Sequence, residues 1–88
     1  MDNSFSLTIY TPEEVLFDEK ANYFSATNST GEFGILPGHT LFSSDIVSGD
    51  IRVKSENGTE KKISHGPGVV SMESNQLIVA LESGNLVK

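Results

Sequence analysis

The sequence predicts an all-β domain folded as a sandwich or barrel, and three observations support this fold class. Short runs of alternating apolar and polar residues recur along the chain, and clusters of glycine, proline, asparagine and serine separate them. No stretch carries an apolar stripe of helical period between capping residues. The chain has 88 residues and shows no linker or internal repeat, so we expect one domain over residues 1–88.

The first half of the chain predicts three strand segments and one loop. Residues 5–10 alternate strictly, which is typical of a half-buried strand. A polar turn that begins at Thr11 and Pro12 follows, because proline presets φ and removes a ladder donor. Residues 15–17 and 22–27 read as further extended segments. Residues 31–40 contain so many glycines and prolines that we expect an irregular, tightly constrained loop.

Side-chain parity predicts the register of a hairpin that turns at an Asn-Gly pair in the second half. A two-residue turn there would place Ile63 on the solvent face. A three-residue loop pairs Ile51 with Ile63 and Lys54 with Glu60, which buries the apolar residues and opposes unlike charges. We therefore predict the three-residue loop, with Gly58 at positive φ.

Three more segments complete the predicted strands. Residues 41–47 are predicted to form a strand that Asp45 interrupts, and residues 69–73 form another. Residues 77–81 are all apolar, so we expect them to be covered on both faces as an interior strand of a sandwich.

Composition excludes several functional classes. Six basic residues against twelve acidic ones give a formal charge of −6, the wrong sign for a nucleic-acid or anionic-membrane binder. There is no cysteine, and therefore no disulfide or thiolate metal site. The apolar runs are too short to span a bilayer and the first residues lack a basic signal region, so we expect a soluble, cytoplasmic-type protein.

The residues that could carry catalysis are few. Of the two histidines, His39 and His65, neither belongs to a metal-binding motif. Ser64 and His65 are adjacent on a strand and so point to opposite faces, which disfavours a hydrolase dyad. The loop from Gly34 to Thr40 lacks the spacing and the lysine of a phosphate loop. We expect no metal and no cofactor.

Most of the positive charge lies on one hairpin, which carries four of the six basic residues: Arg52, Lys54, Lys61 and Lys62. Outward charges of this kind discourage edge-to-edge pairing of strands. We favour a solvated hairpin over the alternative, a docking site for an acidic partner.

Residues 31–39 read GEFGILPGH, and this run closely resembles the hallmark of the epsilon subunit of rotary ATP synthases, called delta in mitochondria. Further segments resemble the family in the same order along the whole chain: Leu7-Thr8-Ile9, Thr11-Pro12-Glu13, Leu16-Phe17, Gly49 with Ile51-Arg52-Val53, and Leu77-Ile78-Val79.

The resemblance implies a flattened ten-stranded β-sandwich in a non-catalytic subunit of the central stalk. Such a subunit joins the gamma subunit to the c ring of a proton- or sodium-translocating synthase, without a cofactor and without inserting into the membrane. It implies a peripheral position on the cytoplasmic side of the bacterial inner membrane. If 88 residues is the natural length, we also expect no C-terminal helical hairpin, and hence no inhibitory or ATP-sensing helices.

Family contacts carried over by position give two sets of site residues. The loop that faces the c ring would comprise Ser29, Thr30, Gly31, Glu32 and Phe33. The positions that face gamma would be Thr11, His39 and Ser44. An alternative is a small β-barrel module that binds a ligand through His39 and His65. An oligonucleotide-binding barrel is disfavoured, because the chain lacks a surface that combines basic and aromatic residues.

Overall fold

The computed structural model describes residues 4–37 and 41–87, and within these ranges the regular structure is β-strand throughout. The strands are β1 (Phe5–Tyr10), β2 (Val15–Asn28), β3 (Gly31–Ile35), β4 (Phe42–Ile46), β5 (Gly49–Ser55), β6 (Glu60–His65), β7 (Gly68–Glu73), β8 (Gln76–Leu81) and β9 (Gly84–Val87). The all-β prediction is confirmed.

The long strand β2 organises the sandwich because it takes part in both layers. Its first half pairs with β1 and its second half pairs with β3 and β5, with a register shift between Ala21 and Tyr23. One layer is therefore β4-β7-β8-β1-β2, and the other is β3-β2-β5-β6-β9. The segments predicted at 15–17 and 22–27 are one continuous strand. With β2 counted once, the described residues form nine strands rather than the ten that the resemblance implies.

Apolar side chains from both layers fill the space between them. Phe5, Leu7 and Ile9 of β1 are buried, as their alternation predicts. Each large side chain removed from water in this way contributes about 1.5–3 kcal/mol. The rest of the described core comprises Leu16, Phe17, Ala21, Phe24, Ala26, Ile35, Ile46, Ile51, Val53, Ile63, Val70, Met72, Leu77, Val79 and Leu81.

The register of the β5–β6 hairpin is the one predicted from parity. Ile51 pairs with Ile63 and Lys54 pairs with Glu60. Gly58 has φ +92°, and its backbone nitrogen donates to the carbonyl oxygen of Ser55 at 2.9 Å. The three-residue loop is therefore confirmed, because it keeps both isoleucines between the layers.

The expectation of an irregular loop over residues 31–40 is wrong for its first half. β3 is a regular strand in which Ile35 pairs with Phe24 and Gly34 pairs with Ser25. A Cβ atom on Gly34 would lie 3.5 Å from the Tyr23 ring, which is an ordinary van der Waals contact, so the strand does not require glycine at this position. Residues 38–40 lie outside the described ranges.

The expectation that β8 is covered on both faces is also wrong. Leu77 and Val79 are buried, whereas Ile78 is 40% exposed. β8 lies between β1 and β7 in its layer, but no third layer of described residues covers its outer face. The strands predicted at 41–47 and 69–73 are confirmed as β4 and β7, but Asp45 does not interrupt β4, since it pairs with Val69 within the ladder.

Candidate functional site

The turn between β2 and β3 presents four exposed residues in a fixed shape. The Asn28 Oδ1 atom accepts hydrogen bonds from the Thr30 backbone nitrogen at 2.9 Å and from the Thr30 hydroxyl at 2.7 Å. Gly31 follows at φ +135°, a conformation that side-chain-bearing residues rarely adopt. The exposed residues are Ser29, Thr30, Gly31 and Glu32. Glu32 thus stands on a preorganised turn.

Phe33, the fifth residue predicted for this loop, packs inward. Its ring centroid lies 5.3 Å from that of Phe42 and 6.3 Å from that of Phe24. Since β3 and β4 are edge strands of different layers, the Phe33–Phe42 contact closes the sandwich between them. Phe33 therefore anchors the strand that follows the exposed turn, and its own side chain is only partly exposed.

Thr11 shapes the turn between β1 and β2. It is buried, and its hydroxyl oxygen accepts hydrogen bonds from the backbone nitrogens of Glu13 and Glu14, both at 3.2 Å. Its own backbone nitrogen donates to the Glu14 carbonyl at 2.8 Å. Because these polar groups are satisfied within the turn, Thr11 shapes the turn, and the side chains exposed beside it are those of Tyr10, Pro12, Glu13 and Glu14.

Ser44 lies on the edge strand β4, close to the β2–β3 turn. Its hydroxyl accepts a hydrogen bond from the Asn28 side-chain amide at 3.1 Å and donates to the Asp45 carbonyl at 2.9 Å. The structure therefore joins Ser44 to the turn that carries Glu32, although the two were predicted to face different partners. His39, the third position predicted to face gamma, lies outside the described residues.

A feature that sequence reasoning missed is an apolar strip across the outer face of the first layer. We define the outer apolar strip as Tyr10, Val15, Val69, Ile78 and Ala80. Tyr10 pairs with Val15 and with Ala80, and Ala80 pairs with Val69, so the strip crosses four strands without a break. The exposed fractions are 40% for Tyr10, 59% for Val15, 58% for Val69 and 40% for Ile78. The uninterrupted apolar run of β8 was its signal in the sequence.

The strip runs between two of the positions predicted to face gamma. Thr11 directly follows Tyr10 at one end. At the other end Val69 pairs with Asp45, the neighbour of Ser44. β1, β8, β7 and β4 are successive strands, so the two positions are separated by about 14 Å of sheet, at roughly 4.8 Å per strand.

The outer face of the second layer has a different character. Arg52 and Lys62 are directly opposite each other on β5 and β6, and Lys54 follows on the same side of β5. Lys62 forms an ion pair with Asp50 at 3.4 Å. Lys61 points the other way, with its Nζ atom 5.5 Å from the Phe17 ring centroid and 3.7 Å from Glu19. The predicted cluster of four therefore divides, and three cations remain outward.

The histidine that the structure describes has a local structural role. His65 is buried, and its Nδ1 atom lies 2.6 Å from the Gly66 carbonyl oxygen, to which it donates. Its Nε2 atom has no partner among the described residues. Ser64 is exposed on the opposite face, so the two side chains form no dyad.

Residues 4–37 and 41–87 contain no group of three histidine or acidic side chains placed to hold a metal ion. They also contain no helix with the length and apolar character needed to cross a membrane. What these ranges present is a small β-sandwich with an exposed apolar strip on one outer face, three cations on the other and a turn that exposes Glu32, and surfaces of this kind are typical of protein-binding domains.

Comparison with known proteins identifies the family. Residues 4–85 match the family described as ATP synthase, Delta/Epsilon chain, beta-sandwich domain. The match covers nearly the whole chain, and the chain belongs to this family. The resemblance seen in GEFGILPGH is confirmed.

Relatives and solved structures agree with this assignment. The chain is 32% identical over 80 residues to the ATP synthase epsilon chain of Campylobacter fetus, covering 91% of this chain and 62% of that protein. It therefore spans less than two thirds of this relative. A chain in the Euglena gracilis mitochondrial ATP synthase has the same fold, with a TM-score of 0.89, 18% identity and coverage of 98% of this chain and 55% of that chain. A chain of the Tetrahymena thermophila mitochondrial ATP synthase also shares the fold, with a TM-score of 0.75 and 15% identity. The match covers 91% of this chain and 64% of that chain.

Proposed function

We propose that this chain is a non-catalytic rotor subunit of an ATP synthase, joining the gamma subunit to the c ring. Its curated relatives are ATP synthase epsilon chains. The solved structures that share its fold contain the F1 part with the c ring in one case and the central stalk with the c ring in the other. The role requires only the sandwich, peripheral to the membrane on the cytoplasmic side in bacteria, and needs no cofactor.

The observation that carries this proposal is the outer apolar strip. Apolar residues at a sheet centre that remain exposed in a domain with a complete core mark a surface for another protein. The strip crosses the strands between the positions of Thr11 and Ser44, at which the family resemblance places gamma, although the side chains of both residues point to the inner side of that layer. We therefore assign the strip as the gamma-docking surface, in which Tyr10 and Ile78 are the central contacts.

The β2–β3 turn supplies the second contact. Glu32 is exposed on a turn that Asn28 holds in shape, so its carboxylate can meet basic groups on the polar loops of the c ring. An exposed ion pair of this kind contributes about 0–1 kcal/mol, so Glu32 sets position and orientation more than affinity.

Coupling requires the turn and the strip to move as one body. Three contacts join the turn region to β4 and the segment after it: Asn28 to Ser44, the Phe33–Phe42 rings, and the Val47 backbone nitrogen, which donates to the Thr27 carbonyl at 3.0 Å. From β4 the ladder continues through β7 and β8 to β1. A close-packed interior of this kind transmits force with little deformation.

Binding to gamma tests the proposal directly. The chain and the gamma subunit of the same organism should elute together as a one-to-one complex in size-exclusion chromatography. Val69→Asp should abolish the complex, because association would bury an unpaired carboxylate. The matched control is Val87→Asp, at an exposed valine on the edge strand β9 of the second layer, which should leave binding intact. Failure of the unsubstituted chain to bind gamma, or equal binding by both variants, would refute the assignment.

A further inference from the structure

The three outward cations of the second layer are not on edge strands, so they cannot serve to prevent edge-to-edge pairing with another sheet. Outward charges protect a sheet when they lie on its edge strands. Here β5 lies between β2 and β6, and β6 lies between β5 and β9, so both are interior strands. The edge strand β9 instead exposes Leu86 and Val87. The charges on β5 and β6 therefore need another explanation.

Arg52 is the cation that the fold leaves uncompensated. Lys62 pairs with Asp50 at 3.4 Å, and Lys54 has Glu60 directly opposite on β6. Arg52 is directly opposite Lys62, an arrangement of like charges that destabilises a sheet. Within residues 4–37 and 41–87 its guanidinium makes no hydrogen bond or ion pair. The fold itself gains nothing evident from this arginine.

Two open recesses border Arg52, one on each side. The first has a volume of about 460 Å³ and is lined by Arg52, Glu60, Lys61, Lys62, Leu86 and Val87. The second has a volume of about 540 Å³ and is lined by Asn22, Tyr23, Leu36, Arg52, Val53, Lys54 and Glu60. Each combines the arginine with two exposed apolar side chains, Leu86 and Val87 in one and Tyr23 and Leu36 in the other. A central cation with apolar side chains to both sides is the complement of a carboxylate between two apolar groups.

We propose that this face docks an extended segment of a partner protein with the pattern Leu-x-Glu-x-Leu. Tyr23 is opposite Lys54, and Val87 is opposite Lys62, which is itself opposite Arg52. The two residues are therefore three strand spacings apart across the sheet and two residues apart along it, roughly 16 Å in all, a separation that two leucine side chains of one extended segment can bridge. An extended chain places residues i and i+4 on the same side, about 13 Å apart. The glutamate between them meets Arg52, whose planar fork donates two hydrogen bonds to a carboxylate.

Charge favours a protein segment over a phosphate surface. The chain carries a formal charge of −6, and Asp50 and Glu60 lie on the same outer face as Arg52. A membrane or nucleic acid would bring many phosphates against those carboxylates, whereas one glutamate needs only Arg52. This partner is additional to gamma, because the face is on the other layer from the outer apolar strip. The proposal therefore holds whether or not the strip binds gamma.

The test uses the 88-residue chain labelled with ¹⁵N and a synthetic peptide in which serines flank and separate Leu, Glu and Leu. Amide shifts should change on β2, β5, β6 and β9, and a peptide with Gln in place of Glu should bind at least several-fold more weakly. Arg52→Gln should weaken binding about tenfold, the loss of one charge-assisted contact. Lys20→Gln is the control, an exposed lysine on the other layer, and should not change the affinity.

Three results would overturn the proposal. The first is the absence of shifts at millimolar peptide, and the second is equal affinity for the Glu and Gln peptides. The third is that the chain binds phosphatidylglycerol vesicles through Arg52 but does not bind the peptide. That result would identify the face as a lipid-binding surface. Should Arg52→Gln lose the folded amide spectrum, Val87→Ser provides the second variant and should also weaken peptide binding.

Discussion

The two outer faces of this sandwich are built from the same alternating strands yet present opposite chemistry. On the first layer four neighbouring strands contribute outward apolar residues, with Tyr10 and Ile78 each 40% exposed. On the second layer the corresponding positions carry Arg52, Lys54 and Lys62. Alternation therefore fixes which side chains enter the core, whereas the partner of each face depends on the residues that point outward.

This difference predicts different binding behaviour. Association on the outer apolar strip should depend on apolar burial and change little with salt. Association on the Arg52 face should weaken as salt rises, because an exposed charge is screened beyond about 8 Å at physiological ionic strength. Measuring both affinities across a salt series would separate the two faces without any substitution.

The largest expected effect concerns the backbone beneath the strip. Gly68→Ala should destabilise the chain by about 3 kcal/mol, since overpacking a core typically costs about 1–3 kcal/mol. A Cβ atom there would lie 2.2 Å from the Ala80 carbonyl oxygen and 2.9 Å from the Leu81 Cδ2 atom. Urea unfolding measures the loss. Gly49→Ala is the control, because nothing lies within 4 Å of a Cβ at that position, and a similar loss there would contradict the reason given.

A charge at the centre of the strip should have the next largest effect. Ile78→Asp should weaken gamma binding about 100-fold, equivalent to about 2.7 kcal/mol. The side chain is 40% exposed, so the isolated chain should keep its fold and most of its melting temperature. Calorimetric titration with gamma measures the change. Undiminished binding by a folded Ile78→Asp chain would remove the strip from the interface.

Loosening the link between the turn and β4 should have a smaller effect. Asn28→Ala removes the acceptor of the two Thr30 hydrogen bonds and the donor to Ser44. We expect a loss of about 1 kcal/mol, because each bond on an exposed turn has a small net value. Thermal unfolding gives the value, and Thr30→Ala, which removes only one of these bonds, should lose less. The reverse order would show that Asn28 does not organise the turn.

The smallest expected effect has the opposite sign. Arg52→Thr should raise the stability of the isolated chain by about 0.5 kcal/mol, because it relieves the like-charge pair with Lys62. Lys54→Thr should lower it slightly, since Lys54 is directly opposite Glu60. Chemical denaturation of the two variants side by side tests this. If Arg52→Thr is the less stable of the two, Arg52 has a structural role that the contacts do not reveal.

Much of the fold could be predicted from the residues, because alternation and turn chemistry act locally. The alternation of side chains between the two faces of a strand is enough to predict the β5–β6 register. That register requires a three-residue loop, in which Gly58 has positive φ as predicted. The β3 strand was missed because its glycines were read as breakers, whereas pairing with β2 holds residues 31–35 extended. The exposure of Ile78 was missed because the number of layers is a property of the assembled sandwich and not of one strand.

The candidate site was less predictable than the fold. The family motif leads to the Glu32 turn, which the structure shows exposed, but it does not reveal that Ser44 is bonded to the same turn through Asn28. The outer apolar strip needs the register of four strands before its members become neighbours. Likewise Arg52 stands out only once β5 and β6 are known to be interior strands.

The most direct test of the assignment of the two faces is photo-crosslinking within the assembled synthase. A benzophenone amino acid would be placed at position 78 in one variant and at position 87 in another, since both side chains are exposed, on different layers. The proposed arrangement predicts a crosslink to gamma from position 78 and none from position 87. Crosslinking to gamma from position 87 but not from position 78 would contradict it.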